Sequence, residues 1–182
     1  NTLVVDVTNF SEKSNFLETA WLLRKGELPT QAEYDEFQHH ITYHTYVHEN
    51  IKEFMHGFRY DAHPMSMLSA GVAALSSFYP TAKNIQDPVE RDIAFIRLLA
   101  KMPTIAAFAY RHVKGLPYVY PDNSLPYAEN FLSMIARMSE PRYEAHPAYA
   151  RAIDVLFILH ADHEQNCSTS AVRAVGSSHV DP

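Results

Sequence analysis

The run of side chains best equipped for chemistry is His160-Ala161-Asp162-His163-Glu164-Gln165-Asn166, which follows the apolar stretch Val155 to Leu159. His160 and His163 are three apart, so both lie on one face at the end of a helix. That end carries partial negative charge and favours the imidazolium form. Two imidazolium donors suit a small dicarboxylate, or a carbonyl oxygen acquiring charge, and Asn166 adds a neutral amide. From Ser168 a further helix begins, whose free N–H groups favour an anion. Asp162 and Glu164 admit a second chemistry, a carboxylate–histidine metal site of the four-helix-bundle kind. Such a site needs another Glu-x-x-His on a facing helix. Glu53-Phe54-Met55-His56 has that spacing, but no lone bridging glutamates accompany it. A polar cluster that merely closes a helix is the third reading. The residues alone leave all three open.

The chain of 182 residues has 11 histidines, and four of them form a second group: His39, His40, His44 and His48. In one continuous helix His40, His44 and His48 stack at i, i+4 and i+8. Two histidines at i, i+4 can share a metal ion, but no glutamate stands between them as in the zinc-protease pattern. Packed or solvent-facing imidazoles are the simpler account, and a protonated imidazole could also meet an anionic ligand. No order of Ser, His and Asp suggests a hydrolase, and with only five glycines no glycine loop cradles a phosphate. The single cysteine, Cys167, excludes an intrachain disulfide and has no partner that marks it as a nucleophile. A net charge of −6 gives no basic face for nucleic acid. No uninterrupted apolar run approaches the ~20 residues of a membrane span. No metal and no membrane or nucleic-acid partner is expected.

The elements that must position these groups are helices. Leu3 to Thr8 reads as a short strand, so residues 1–10 are expected to be a strand-like piece of their own. Asn15 with Glu18 is a weak capping signal for a helix that Gly26 ends. Thr30-Gln31-Ala32-Glu33 is a capping box whose helix is expected to reach Gly57. His63-Pro64 starts a third helix and Asp87-Pro88 a fourth, which runs to Gly115 with a kink at Pro103. Leu116 to Leu125, with Pro117 and Pro121, is a loop. Helices follow over 126–138, 147–161 and 168–176. Small residues mark two of these helices: Ser69, Ala70, Gly71, Ala73 and Ala74 on one, Ala94, Ala100, Ala106 and Ala107 on the other. Such a stripe fits either an internal core or a subunit interface, while Arg91, Arg97, Lys101 and Arg111 argue against a membrane span. The fold class is all-α. Ser177 to Pro182 leads on without a closing element, so the chain reads as incomplete at its C-terminus.

Several blocks resemble the citrate synthase family, and they do so in unbroken order from residue 11 to residue 182. Gly26-Glu27-Leu28-Pro29-Thr30 after Trp21-Leu22-Leu23 is similar to the segment LLxGELPT of bacterial members. His63-Pro64-Met65, the stretch Arg97 to Ala107, and Tyr127-Ala128-Glu129-Asn130-Phe131-Leu132 match the next blocks. His160 to Asn166 resembles LHADHEQN. The resemblance implies a helical homodimer with a large and a small domain, 11–182 being an incomplete large-domain segment that leads to the cleft. It implies condensation of acetyl-CoA, a co-substrate, with oxaloacetate to give citrate and CoA, with no further cofactor. His163 is implied to contact oxaloacetate, with His160 and Asn166 in or beside that pocket. The helices near 64–78 and 88–114 are implied to build the dimer interface. The family's general acid–base histidine belongs to a glycine-rich HGGANE segment, and its second histidine, aspartate and clamping arginines lie beyond that. No catalytic residue is therefore expected within these 182 positions, and the segment alone is expected to be inactive. A bacterial, cytoplasmic enzyme is the expected setting. A 2-methylcitrate synthase taking propionyl-CoA is the neighbouring alternative; a metal-binding bundle and a non-catalytic scaffold are the distant ones.

Overall fold

The computed structural model describes residues 13–84, 86–161 and 167–177. The strand-like reading of residues 3–8 and the trailing segment after Ser177 lie outside the described residues. Among those described, every α or β element is an α-helix, which agrees with the all-α expectation. The chain divides into two units, one of Asn1–Leu28 with Ile153–Pro182, the other of Pro29–Ala152.

In the first unit, helix α1 (Phe16–Lys25) begins at a complete capping box rather than a weak one. Asn15 Oδ1 accepts from the Glu18 N–H and Glu18 Oε2 accepts from the Asn15 N–H, each at 3.1 Å. Arg24 and Lys25 oppose the negative helix end, and Gly26 closes it at φ 87°, a left-handed conformation that glycine adopts without penalty.

The second unit is built around one long helix. Helices α2 (Gln31–Tyr43), α3 (Glu49–His56) and α4 (Pro64–Leu75) come first, then a 3-10 turn over Pro80–Lys83. Helix α5 (Pro88–Val113) and helix α6 (Tyr127–Ala136) follow. Helix α7 (Pro147–Leu159) contains the boundary at residue 152, and α8 (Cys167–Ser177) belongs wholly to the first unit. Asp87 caps α5 by accepting from the Val89 N–H at 2.9 Å, and Pro88 fills the position where an N–H is dispensable. The helix runs through Pro103, which is buried, without ending there. By length and composition α5 could cross a membrane, yet it packs against α2, α3, α4, α6 and the 3-10 turn as a core helix does.

Two faces of α5 do different work. Ile105 and Ala109 join Val47, Ile51, Met55, Met67, Leu75 and Phe108 in the apolar core. At Gly71 on α4 there is no room for more than a hydrogen. A Cβ there would stand 2.7 Å from Met55 Cε and 2.8 Å from Ile105 Cγ2. Gly71, like the buried Ala107, therefore faces this chain's own core, and the close approach it permits is between α3, α4 and α5.

A neighbouring stripe, which shares Phe108 with that core, carries Lys101, Thr104 and Arg111, so that 101, 104, 108 and 111 fall at the i, i+3, i+7, i+10 spacing of one helical edge. It corrects one sequence expectation. The helix opened by Thr30 and Glu33 does not reach Gly57: it stops at Tyr43, and a non-helical link over 45–48 precedes α3. Lys101 Nζ donates to the carbonyls of His44 and Tyr46, each at 2.6 Å, and Thr104 Oγ1 donates to that of Thr45 at 2.8 Å. Carbonyls that a continuous helix would have paired internally are satisfied by side chains of α5 instead. Three β-branched residues, Thr42, Thr45 and Val47, lower the helical preference of the same stretch.

Candidate functional site

His160 follows the last turn of α7. The ring is exposed, and Nδ1 lies 2.7 Å from the Leu156 carbonyl. A carbonyl oxygen can only accept, so Nδ1 carries the hydrogen, and Nε2 is a donor only when the ring is protonated. The same helix anchors α1: Asp154 Oδ1 accepts from the Phe16 N–H at 3.0 Å, and Phe157 packs on Phe16 with ring centroids 5.2 Å apart. Asp154 thus places a carboxylate at the positive end of α1. His163 and Asn166, like Asp162 and Glu164, lie outside the described residues.

The second histidine group does not assemble into one face. His40 pairs with Glu36 at 3.7 Å on the surface, and His39 packs on the Tyr43 ring at 4.3 Å. His44 caps α2, its Nδ1 donating to the His40 carbonyl at 2.7 Å. The break after α2 removes His48 from that helix and makes it the N-cap of α3. Glu53 and His56 pair with each other at 3.6 Å in the open. Among the described residues no three His, Cys, Asp or Glu side chains are placed to hold a metal ion.

A pocket of about 550 Å³ lies in the second unit, lined by Tyr46, Arg111, Tyr118, Tyr120, Arg137 and the loop 117–123. Its chemistry is more constrained than its composition suggests. Arg111 is 1% exposed as a residue, and burial lowers the affinity of its guanidinium for its proton. Arg111 Nη1 donates to the carbonyls of Ile135 at 2.8 Å, Arg137 at 2.9 Å and Met134 at 3.4 Å, and Nε donates to that of Pro117. The cation is spent on closing the C-terminal end of α6 and holding the loop. Asp122 at the rim is held below the usual carboxylate range by the hydroxyl and N–H of Ser124, which it accepts at 2.7 and 2.9 Å. From the sequence, Lys101 and Arg111 argue against a membrane span and Lys101 falls in a family-like block, but neither is read as a buried donor, and 116–125 is read as a loop. The available signal was the stripe 101, 104, 108, 111, which puts two charges on a face otherwise set for burial.

Comparison with known proteins extends the blocks read from the sequence. A family model described as citrate synthase, C-terminal domain, matches residues 4–182. The peroxisomal citrate synthase of Dictyostelium discoideum is 48% identical over 183 residues, covering 97% of this chain and 37% of that protein. The crystal structure of citrate synthase from Pyrobaculum aerophilum superposes with a TM-score of 0.83 at 32% identity, over 96% of this chain and 44% of that one. The chain thus spans less than half the length of these two proteins. The expectation of a bacterial, cytoplasmic enzyme is corrected by the first of them, a peroxisomal protein of a non-bacterial organism.

Proposed function

Because the chain belongs to the citrate synthase family, we propose that it forms part of an acyltransferase that joins acetyl-CoA to oxaloacetate, releasing citrate and CoA. The reaction forms a carbon–carbon bond between the acetyl methyl and the oxaloacetate ketone. A base must take a methyl proton, the ketone oxygen gains negative charge, and water then cleaves the thioester. A group that binds oxaloacetate has to meet two carboxylates and that developing charge. His163, His160 and Asn166 are the residues we assign to this task. The observation that carries the assignment is the ring of His160. Its Nδ1 is committed to the Leu156 carbonyl, which orients the ring, and a protonated ring presents its second N–H toward an anion. No residue of this chain is assigned the proton abstraction.

The test is made in the complete enzyme. His163→Ala should lower kcat/KM for oxaloacetate about ten- to a hundred-fold, the equivalent of ~1.5–3 kcal/mol for a charged hydrogen bond. The dependence on acetyl-CoA should change far less. A variant that melts earlier yet keeps its oxaloacetate kinetics would make the histidine a structural residue.

The assembly inferred is a homodimer through α4 and α5. Gly71 and Ala107 are turned inward, so the partner would meet Met65, Leu98, Met102 and Tyr110, which the same helices leave exposed. Met102→Glu should shift the sedimenting species of the complete enzyme from dimer toward monomer, and an unchanged dimer would place the interface elsewhere. The location that the Dictyostelium discoideum relative's name supports is the peroxisome.

A further inference from the structure

Three helices begin on a histidine. His48 Nδ1 accepts from the Asn50 N–H at 3.1 Å, at the start of α3. His63 Nδ1 accepts from the Met65 N–H at 3.2 Å, at the start of α4. His146 Nδ1 accepts from the Ala148 N–H at 3.2 Å, ahead of α7. The usual N-caps are Ser, Thr, Asp and Asn, whose oxygens accept throughout the neutral range. An imidazole nitrogen accepts only while it lacks a proton. The ring must then be neutral with its hydrogen on Nε2.

We propose that these three caps form an acid-sensitive device: uptake of a proton by His48, His63 and His146 releases the first turns of α3, α4 and α7 together. Two effects act in one direction. Protonation converts the accepting nitrogen into a donor that faces another donor, and it sets a positive charge against the positive end of a helix. Imidazoles in general gain their proton between about pH 5 and 8. The sign follows from the bond itself: the neutral ring is bound in the folded chain, so this stabilisation is present at higher pH and is lost as pH falls.

Glu49 is a charged group near His48, and Phe78 stacks on the imidazole with centroids 4.7 Å apart. Glu49 itself is engaged by Lys52 at 2.7 Å and by the Tyr120 hydroxyl at 2.6 Å. Tyr149 lies against His146 at 5.4 Å. Among the described residues neither His63 nor His146 has an ion-pair partner. The chain also carries its own controls. Asp87-Pro88-Val89 has the geometry of His63-Pro64-Met65 and His146-Pro147-Ala148 but with a carboxylate as acceptor. His44 and His160 stand at helix C-terminal ends, donate to carbonyls and keep their bonds when protonated.

Nitrogen NMR of the imidazoles in the whole chain at pH 7.5 reads the tautomers directly. His48, His63 and His146 should show a bare Nδ1, and His44 and His160 a bare Nε2. Amide exchange, corrected for intrinsic rates, is then compared at pH 7.5 and 5.5. Protection at Asn50, Met65 and Ala148 should fall about five-fold relative to Val89, the loss that removal of one N-cap produces. The triple variant His48→Asp, His63→Asp, His146→Asp should keep its protection at pH 5.5. The proposal is overturned by Nδ1–H tautomers at the three positions, by equal protection at both pH values in the parent, or by an undiminished acid loss in the aspartate variant. The tautomer measurement decides even if the variant does not fold.

Discussion

Lys101 shows what burial does to a single charge. It is 3% exposed, and desolvation, with the neighbouring Arg97 charge, lowers its pKa to about 8. In the unfolded chain a lysine keeps its proton to about pH 10.4. Between those values the unfolded state binds more protons, so this residue's contribution makes stability rise as pH is raised. The expected result is that ΔG of urea unfolding climbs from pH 8 to 9.5 in the parent more steeply than in Lys101→Met. Parallel curves would mean that the lysine keeps an ordinary pKa. The need for a partner was legible in the sequence at His160, where a histidine closes an apolar run. Lys101 was not legible in this way, because its partners are backbone carbonyls that every residue possesses.

Helix starts and stops were the most readable elements, since capping is local chemistry. Asn15 with Glu18, Thr30 with Glu33, His63-Pro64, Asp87-Pro88 and Gly26 all stand where their residue types put them. The split between α2 and α3 was hard to read because the side chains that satisfy its carbonyls lie more than fifty residues away, on α5, and the β-branched residues at 42, 45 and 47 are only a weak local sign. The small residues of α4 and α5 fit an internal core or a subunit interface equally in the sequence, and Gly71 serves a contact inside the chain. Gly71→Ala should cost about 1–3 kcal/mol in urea unfolding, the range for overpacking a filled core. Met55 supplies one of the two clashing atoms from the flexible end of its side chain. Met55→Leu in the same chain should therefore recover part of the loss, and strict additivity of the two changes would show that α3 is not what Gly71 accommodates.

At the scale of the whole molecule, segments far apart in sequence share a unit: residues up to Leu28 belong with those from Ile153 onward. Asp154→Ala removes an acceptor from the first N–H of α1 and should cost about 1–2 kcal/mol, as loss of a helix cap does. Amide exchange at Phe16 should report the loss first, and unchanged protection there would mean that α1 finds its acceptor elsewhere. Families of homologous chains drift in sequence, and the stripe on α5 determines where this one is free to drift. Lys101, Thr104 and Arg111 grip main-chain oxygens of residues 44–46, 117, 134, 135 and 137. The gripped positions offer an atom common to all amino acids, so their identities can wander without disturbing the grip. The gripping positions offer a reach and a donor pattern that few side chains share. At these contacts tolerance to substitution is therefore lopsided: the gripped residues lend only main chain, and the gripping residues lend a particular side chain.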